Sequence, residues 1–259
     1  MKYTIYFFLC LSVSISAQKP IETQALSNTP LDADTLVSLD NFGTTYFIKN
    51  DVFYKKTSTN NITYNNVQLS NLYSANAFNP LKINLFYKDF NTVIILDNRL
   101  AEIYKVDFNT LAPYKNVTHI STGHDNTIWL FNQDLQKLEV FDYKTNTTRA
   151  QTVPVNSPVL DLKSNYNFCW LLTKNYLFIY NYFGSLIQKI QNNGYTNMVE
   201  SNGNIILKKD NSLFYLKKNQ DQIIPIETPN LLIKQFFVTN ETLYIYNTKI
   251  LQQFQLKIN

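Results

Sequence analysis

The sequence predicts an all-β fold in which one four-stranded unit is written six times. Three observations carry this. Aromatics reach 15% of the 259 residues, with 18 Tyr and 18 Phe, while Glu and Ala are sparse, a mixture that fits strands and works against long helices. A short apolar run recurs about every 35 to 47 residues, near the ~40-residue period of four-stranded repeat units. Polar turn sequences rich in Asn and Asp frame every one of these runs.

In chain order, the first segment is an address. Lys2 gives a positive start, Tyr3 to Val13 an apolar stretch, and Ser14-Ile15-Ser16-Ala17 a small-residue exit. Together these are the parts of a secretory signal peptide, with cleavage expected after Ala17. The apolar stretch is about half the ~20 residues a spanning helix needs, so a retained anchor is the weaker reading. Cys10 lies inside that stretch, behind Phe8 and Leu9, which disfavours lipidation. Residues 18–259 are then one domain, exported to the periplasm or cell surface, with no transmembrane segment after cleavage. Cys169 is its only thiol, so packing and not an internal disulfide must hold the fold.

The repeated run reads Thr45-Tyr46-Phe47-Ile48, Thr92-Val93-Ile94-Ile95, Thr127-Ile128-Trp129-Leu130, Phe168-Cys169-Trp170-Leu171, Asn204-Ile205-Ile206-Leu207 and Thr242-Leu243-Tyr244-Ile245. Each is taken as the second strand of its unit. Consecutive apolar positions call for burial on both faces, as when twisted sheets stack face to face. A third strand follows with an aromatic at a similar offset: Tyr54, Tyr104, Phe141, Tyr180, Tyr215 and Phe254. Outer strands are read at 62–69, 148–153, 186–190 and 222–226, and the one in the second unit is unclear. With five Gly in the chain, Asn and Asp must take most left-handed turn positions. The sixth unit runs out of chain before a fourth strand, whereas Ile21–Leu26 has strand character and no place in the first unit. Docking that segment on the last unit, near Ile250–Leu256, closes a ring and removes its open edges.

On these repeats the chain resembles the six-bladed β-propellers, a broad and functionally diverse family, over about residues 20–259. The stretch Asn79-Pro80-Leu81-Lys82-Ile83-Asn84-Leu85-Phe86-Tyr87-Lys88-Asp89-Phe90, followed by Val93–Asp97, is similar to one in uncharacterised exported propeller proteins of Bacteroidota. The resemblance implies antiparallel four-stranded blades and brings no catalytic motif with it. Trp-Asp dipeptides and sialidase Asp-boxes are absent. Five blades with a stray segment, or a degenerate seventh near 57–79, are the alternative counts.

Chemistry is sparse. Net charge is +4, with two arginines and lysines spread along the chain singly or in pairs such as Lys208-Lys209 and Lys217-Lys218, which gives no footprint for nucleic acid. His119, on an inner strand, is the one weak catalytic candidate, and its spacing from His124 does not form a zinc pair. Cys169 has no basic neighbour to activate it. No phosphate loop, calcium loop or nucleophile elbow occurs, so no metal or cofactor is expected. Tyr176–Phe183 is read as a third strand with its turn in preference to a carbohydrate platform. Propellers often bind through the rim made by second-to-third-strand turns and blade links. Here that reasoning selects Asp51, Asn98, Arg99, Asp134, Lys174, Asn175, Asp210 and Asn247. The expected role is a non-catalytic module binding an envelope protein. The alternatives are a glycan hydrolase or lyase, or a glycan sensor, working at the axial funnel.

Overall fold

In the computed structural model of the chain, residues 19–258 are described; the signal peptide expected at residues 1–17 lies outside them. After β1 (Glu22–Pro30), the first blade holds β2 (Thr35–Leu39), β3 (Thr45–Lys49), β4 (Val52–Lys56) and β5 (Asn61–Tyr64). The second holds β6 (Ser74–Asn76), β7 (Ile83–Tyr87), β8 (Thr92–Leu96) and β9 (Glu102–Asp107). The third has β10 (Val117–Thr122), β11 (Thr127–Asn132), β12 (Lys137–Asp142) and β13 (Thr147–Gln151). The fourth has β14 (Val159–Ser164), β15 (Phe168–Thr173), β16 (Tyr176–Asn181) and β17 (Leu186–Gln191). In the fifth are β18 (Asn197–Ser201), β19 (Asn204–Lys209), β20 (Ser212–Leu216) and β21 (Ile223–Ile226). The sixth joins β22 (Gln235–Thr239), β23 (Thr242–Tyr246) and β24 (Ile250–Lys257) to β1. This is the all-β, six-bladed antiparallel propeller the sequence predicts.

Consecutive apolar residues in the central strands divide between the two neighbouring blade interfaces, because side chains alternate across a strand. On β11, Ile128 and Leu130 pack toward the second blade, and Trp129 and Phe131 toward the fourth. On β15, Cys169 and Leu171 face the third blade while Trp170 and Leu172 face the fifth. β23 sends Leu243 and Ile245 to the fifth blade and Tyr246 to the first. Six clusters of this kind, one per interface, make up the core.

Closure follows the predicted pairing. β1 runs antiparallel to β24 from Glu22 opposite Lys257 to Pro30 opposite Ile250, with a bulge at Leu26. Ile21 adds a tie to the fifth blade, its N–H donating to Pro225 O (2.9 Å) and its C=O accepting from Glu227 N (2.8 Å). Inside the joint, the Tyr246 hydroxyl accepts from Ala33 N (3.1 Å) and lies within 2.8 Å of Ala33 O and Thr248 O. Nine of the fourteen non-glycine positive-φ residues described are Asn or Asp, as the shortage of glycine requires.

The second blade departs from the sequence reading. The run Thr92–Leu96 is its third strand, and Tyr104 lies on the fourth. Its inner strand, Ser74-Ala75-Asn76, is three residues long and lacks a large apolar side chain, so Ile83–Tyr87 reads from sequence as the innermost strand when it is the second. Residues 57–79 supply the first blade's outer strand and this short inner one, leaving no seventh unit.

Candidate functional site

Antiparallel order sends successive turns to opposite ends of a blade. One rim of the ring therefore collects the first-to-second and third-to-fourth turns, and the other the second-to-third turns and blade links. These are named here the hairpin rim and the link rim. Of the eight residues selected from sequence, Asp51, Asp134, Lys174, Asn175, Asp210 and Asn247 lie on the link rim, in second-to-third turns. Asn98 and Arg99 do not join them. They occupy the third-to-fourth turn of the second blade, on the hairpin rim, where Lys55 Nζ of the first blade donates to Asn98 O (2.6 Å). The displaced frame of the second blade is the reason.

Several link-rim residues are occupied in holding loops. Asn116 Nδ2 donates to Asp134 Oδ1 (2.8 Å), Asn175 N to Ser157 Oγ (3.3 Å), and Asn247 Oδ1 accepts from Ile250 N (2.9 Å). What sequence reasoning missed on this rim is apolar. Tyr73, Phe90, Tyr114, Leu135 and Val153 are exposed on turns and links of the second and third blades. A large apolar residue inside a polar turn, as in Asp89-Phe90-Asn91 or Asp134-Leu135-Gln136, was the available signal.

Along the axis, the inner strands enclose a cavity of about 500 Å³ bordered by β2, β6, β14, β18 and β22. On the third-blade side, polar side chains close the space. Asn76 Nδ2 donates to Ser121 Oγ (3.1 Å), Ser164 Oγ to Ser121 Oγ (2.8 Å) and Asn84 Nδ2 to Thr122 Oγ1 (3.0 Å). Asp161 pairs with Lys163 (3.1 Å) and accepts from Met198 N (2.9 Å) on the next inner strand. Near the hairpin-rim mouth, Glu200 Oε1 accepts from Asn165 Nδ2 and Gly203 N, both at 2.8 Å, yet burial pushes its carboxyl above the ordinary value. Phe78 borders the cavity there, and from it a line of rings runs along the same rim through Tyr166 and His124 to Tyr182 and Phe183 in the third-to-fourth turn of the fourth blade. The aromatic end of Tyr176–Phe183 is thus split: 176–181 is the third strand, and Tyr182 and Phe183 stand exposed in its turn.

His119 sits on inner strand β10, its Nδ1 3.1 Å from Thr118 Oγ1. Burial pulls its pKa from 6.5 down to about 4; Asp161 opposes this, and Lys88 and Lys163 add to it. The imidazole is therefore neutral at pH 7 and too weak a base for chemistry there. Unfolding returns it to 6.5, so between pH 6.5 and about 4 the unfolded chain binds the extra proton and stability falls on acidification. Glu200, with its raised carboxyl, acts in the opposite sense, so the comparison must be between parent and variant. We expect His119→Gln to flatten the loss of stability between pH 7 and 5 in urea titrations; an unchanged loss would contradict this placement. Cys169 is fully buried, and burial pushes its thiol well above the ordinary value, away from nucleophilic use. Among the described residues, no group of three His, Cys, Asp or Glu is placed to hold a metal, and no helix is long and apolar enough to cross a membrane.

No protein-family model matches the chain, and no curated protein matches it by sequence. Similar solved structures include a streptogramin B lyase, 12% identical, with 90% of this chain and 88% of that one covered at a TM-score of 0.63. Virginiamycin B lyase from Staphylococcus aureus, bound to quinupristin, is also 12% identical, with 86% and 80% covered at a TM-score of 0.61. A chain of the mitotic checkpoint complex is 10% identical, with 98% of each covered at a TM-score of 0.60. At such identities the likeness shows the propeller fold alone.

Proposed function

We propose that this chain is an exported, non-catalytic propeller that binds a protein partner in the cell envelope through its link rim. The observation that carries the reading is the run of exposed Tyr73, Phe90, Tyr114, Leu135 and Val153 on adjacent blades, interspersed with polar turn residues such as Asp89 and Asp134. Apolar and aromatic anchors within a polar surround are the composition of protein contacts. The leader-like residues 1–17 support export, and the neutral His119 and inert Cys169 support binding over catalysis.

Capture from envelope extracts tests it. Immobilised parent protein is expected to retain a partner that Phe90→Asp with Leu135→Asp releases, while Arg99→Ala, on the other rim, retains it. Equal capture by all three would remove the link rim from the account. One observation favours a second reading, a glycan hydrolase or lyase: burial raises the carboxyl of Glu200 beside the axial cavity above its ordinary value, the direction a general acid needs. Turnover of a glycan panel that disappears with Glu200→Gln or His119→Ala would establish that reading instead.

A further inference from the structure

We propose that the mouth of the axial cavity on the hairpin rim is a saccharide-binding site, where sugar rings lie against the row Phe78, Tyr166, His124, Tyr182 and Phe183 and their hydroxyls reach the polar cavity wall. The row is continuous. Phe78 meets Tyr166 edge-on with centroids 5.2 Å apart, His124 lies 6.1 Å from Tyr166 and 6.2 Å from Tyr182, and Tyr182 is 3.9 Å from Phe183. These rings come from turns of the second, third and fourth blades, and all four Phe and Tyr residues are at least one-third exposed, up to 64% for Phe183. None belongs to the buried interface clusters, so blade packing does not account for them. Phe78 also borders the cavity, which makes row and cavity one surface.

The cavity wall supplies the polar half. Asn41, Glu200 and Asn202 border it at this mouth. Asn41 uses its Oδ1 to accept from Thr239 Oγ1 (2.7 Å), and Glu200 uses Oε1 twice, leaving the Asn41 amide N–H groups and Glu200 Oε2 without partners among the described residues. Deeper in, Ser38 borders the same space, and its buried Oγ has no hydrogen-bond partner among them, a state buried hydroxyls seldom keep. Much of the charge around the cavity is engaged, Asp161 with Lys163, Lys82 with Asp125 O, and Asp40 with the N–H groups of Phe42 and Thr44, and the bordering groups left over differ in sign, Glu200 at this mouth and Lys208 and Lys234 toward the link rim. An ionic ligand would find no free field of one sign. A ligand with apolar C–H faces and many neutral hydroxyls matches both halves, and ~500 Å³ falls within the ~300–1,000 Å³ of small-molecule sites. The site lies opposite the link rim and does not depend on the protein-binding reading.

The test uses maltopentaose, cellopentaose and N-acetylchitopentaose as probes of the processed chain, by saturation-transfer NMR and calorimetry. At least one is expected to bind. Tyr182→Ala with Phe183→Ala should weaken it at least about tenfold, since exposed stacking partners are removed. Asn202→Ala should weaken it as well, and Phe90→Ala on the link rim should leave it unchanged. Circular dichroism and melting of the variants confirm that these surface changes leave the fold intact. Failure of all three probes, or parent-like binding by the Tyr182/Phe183 variant, overturns the site. Loss of protein capture in that variant with no saccharide bound by the parent also overturns it, and assigns the row to a protein contact.

Discussion

A chain lacking residues 18–30 is expected to melt roughly 10–20 °C below the parent and to self-associate. Without β1, the sixth blade keeps three strands and the edge of β24 is left open from Ile250 to Lys257. Ile21, which packs among Ile226, Leu213 and Val238 between the last two blades, goes with it. Loss of one such buried side chain costs about 2–5 kcal/mol. At ~2–4 °C per kcal/mol for a domain of this size, that alone accounts for much of the fall, and the lost ladder adds to it. Differential scanning calorimetry with sedimentation analysis reads both effects. Parent-like melting by a monomeric deletion would mean that β1 does not close the ring.

Trp129→Ala is expected to destabilise the chain by about 3–5 kcal/mol, and Trp170→Ala by a similar amount. Trp129 is 1% exposed, between Phe131, Leu138, Leu162 and Tyr180 at the interface of the third and fourth blades. Trp170 fills the next interface with Leu172, Met198 and Leu216. Each truncation leaves a cavity that rigid neighbouring sheets close poorly. Because the two sit in different clusters, their effects should nearly add. Urea titration gives the magnitudes, and the parent's tryptophan emission should be blue-shifted until unfolding. A solvated emission maximum in the folded chain, or a loss below about 1 kcal/mol, would contradict this packing.

The fold was legible because its repeated element is chemically loud. Runs such as Thr127–Leu130 and Phe168–Leu171 are apolar at successive positions, and two-sided burial in a stacked blade is what that pattern means. Closure was legible from two mismatched ends, a last unit short of one strand and an extra strand near Ile21. The second blade was not, since its inner strand Ser74-Ala75-Asn76 is too short and polar to announce itself. That slip carried Asn98 and Arg99 to the wrong rim. The candidate sites were less legible still. Phe78, His124, Tyr166 and Tyr182 span 104 residues of sequence and meet only because turns of three blades converge on one rim. The perturbed state of His119 likewise arises from burial beside Asp161, Lys88 and Lys163, three groups its own strand does not name.

The most direct test of the link-rim account is a calorimetric titration of the captured partner into parent, Phe90→Asp/Leu135→Asp and Arg99→Ala proteins. The account predicts saturable binding to the parent and to Arg99→Ala with equal affinity, and at least about tenfold weaker binding when the two apolar anchors become charged, as truncating hot-spot contacts does elsewhere. Equal affinity for all three proteins, or weakening by Arg99→Ala alone, would contradict it.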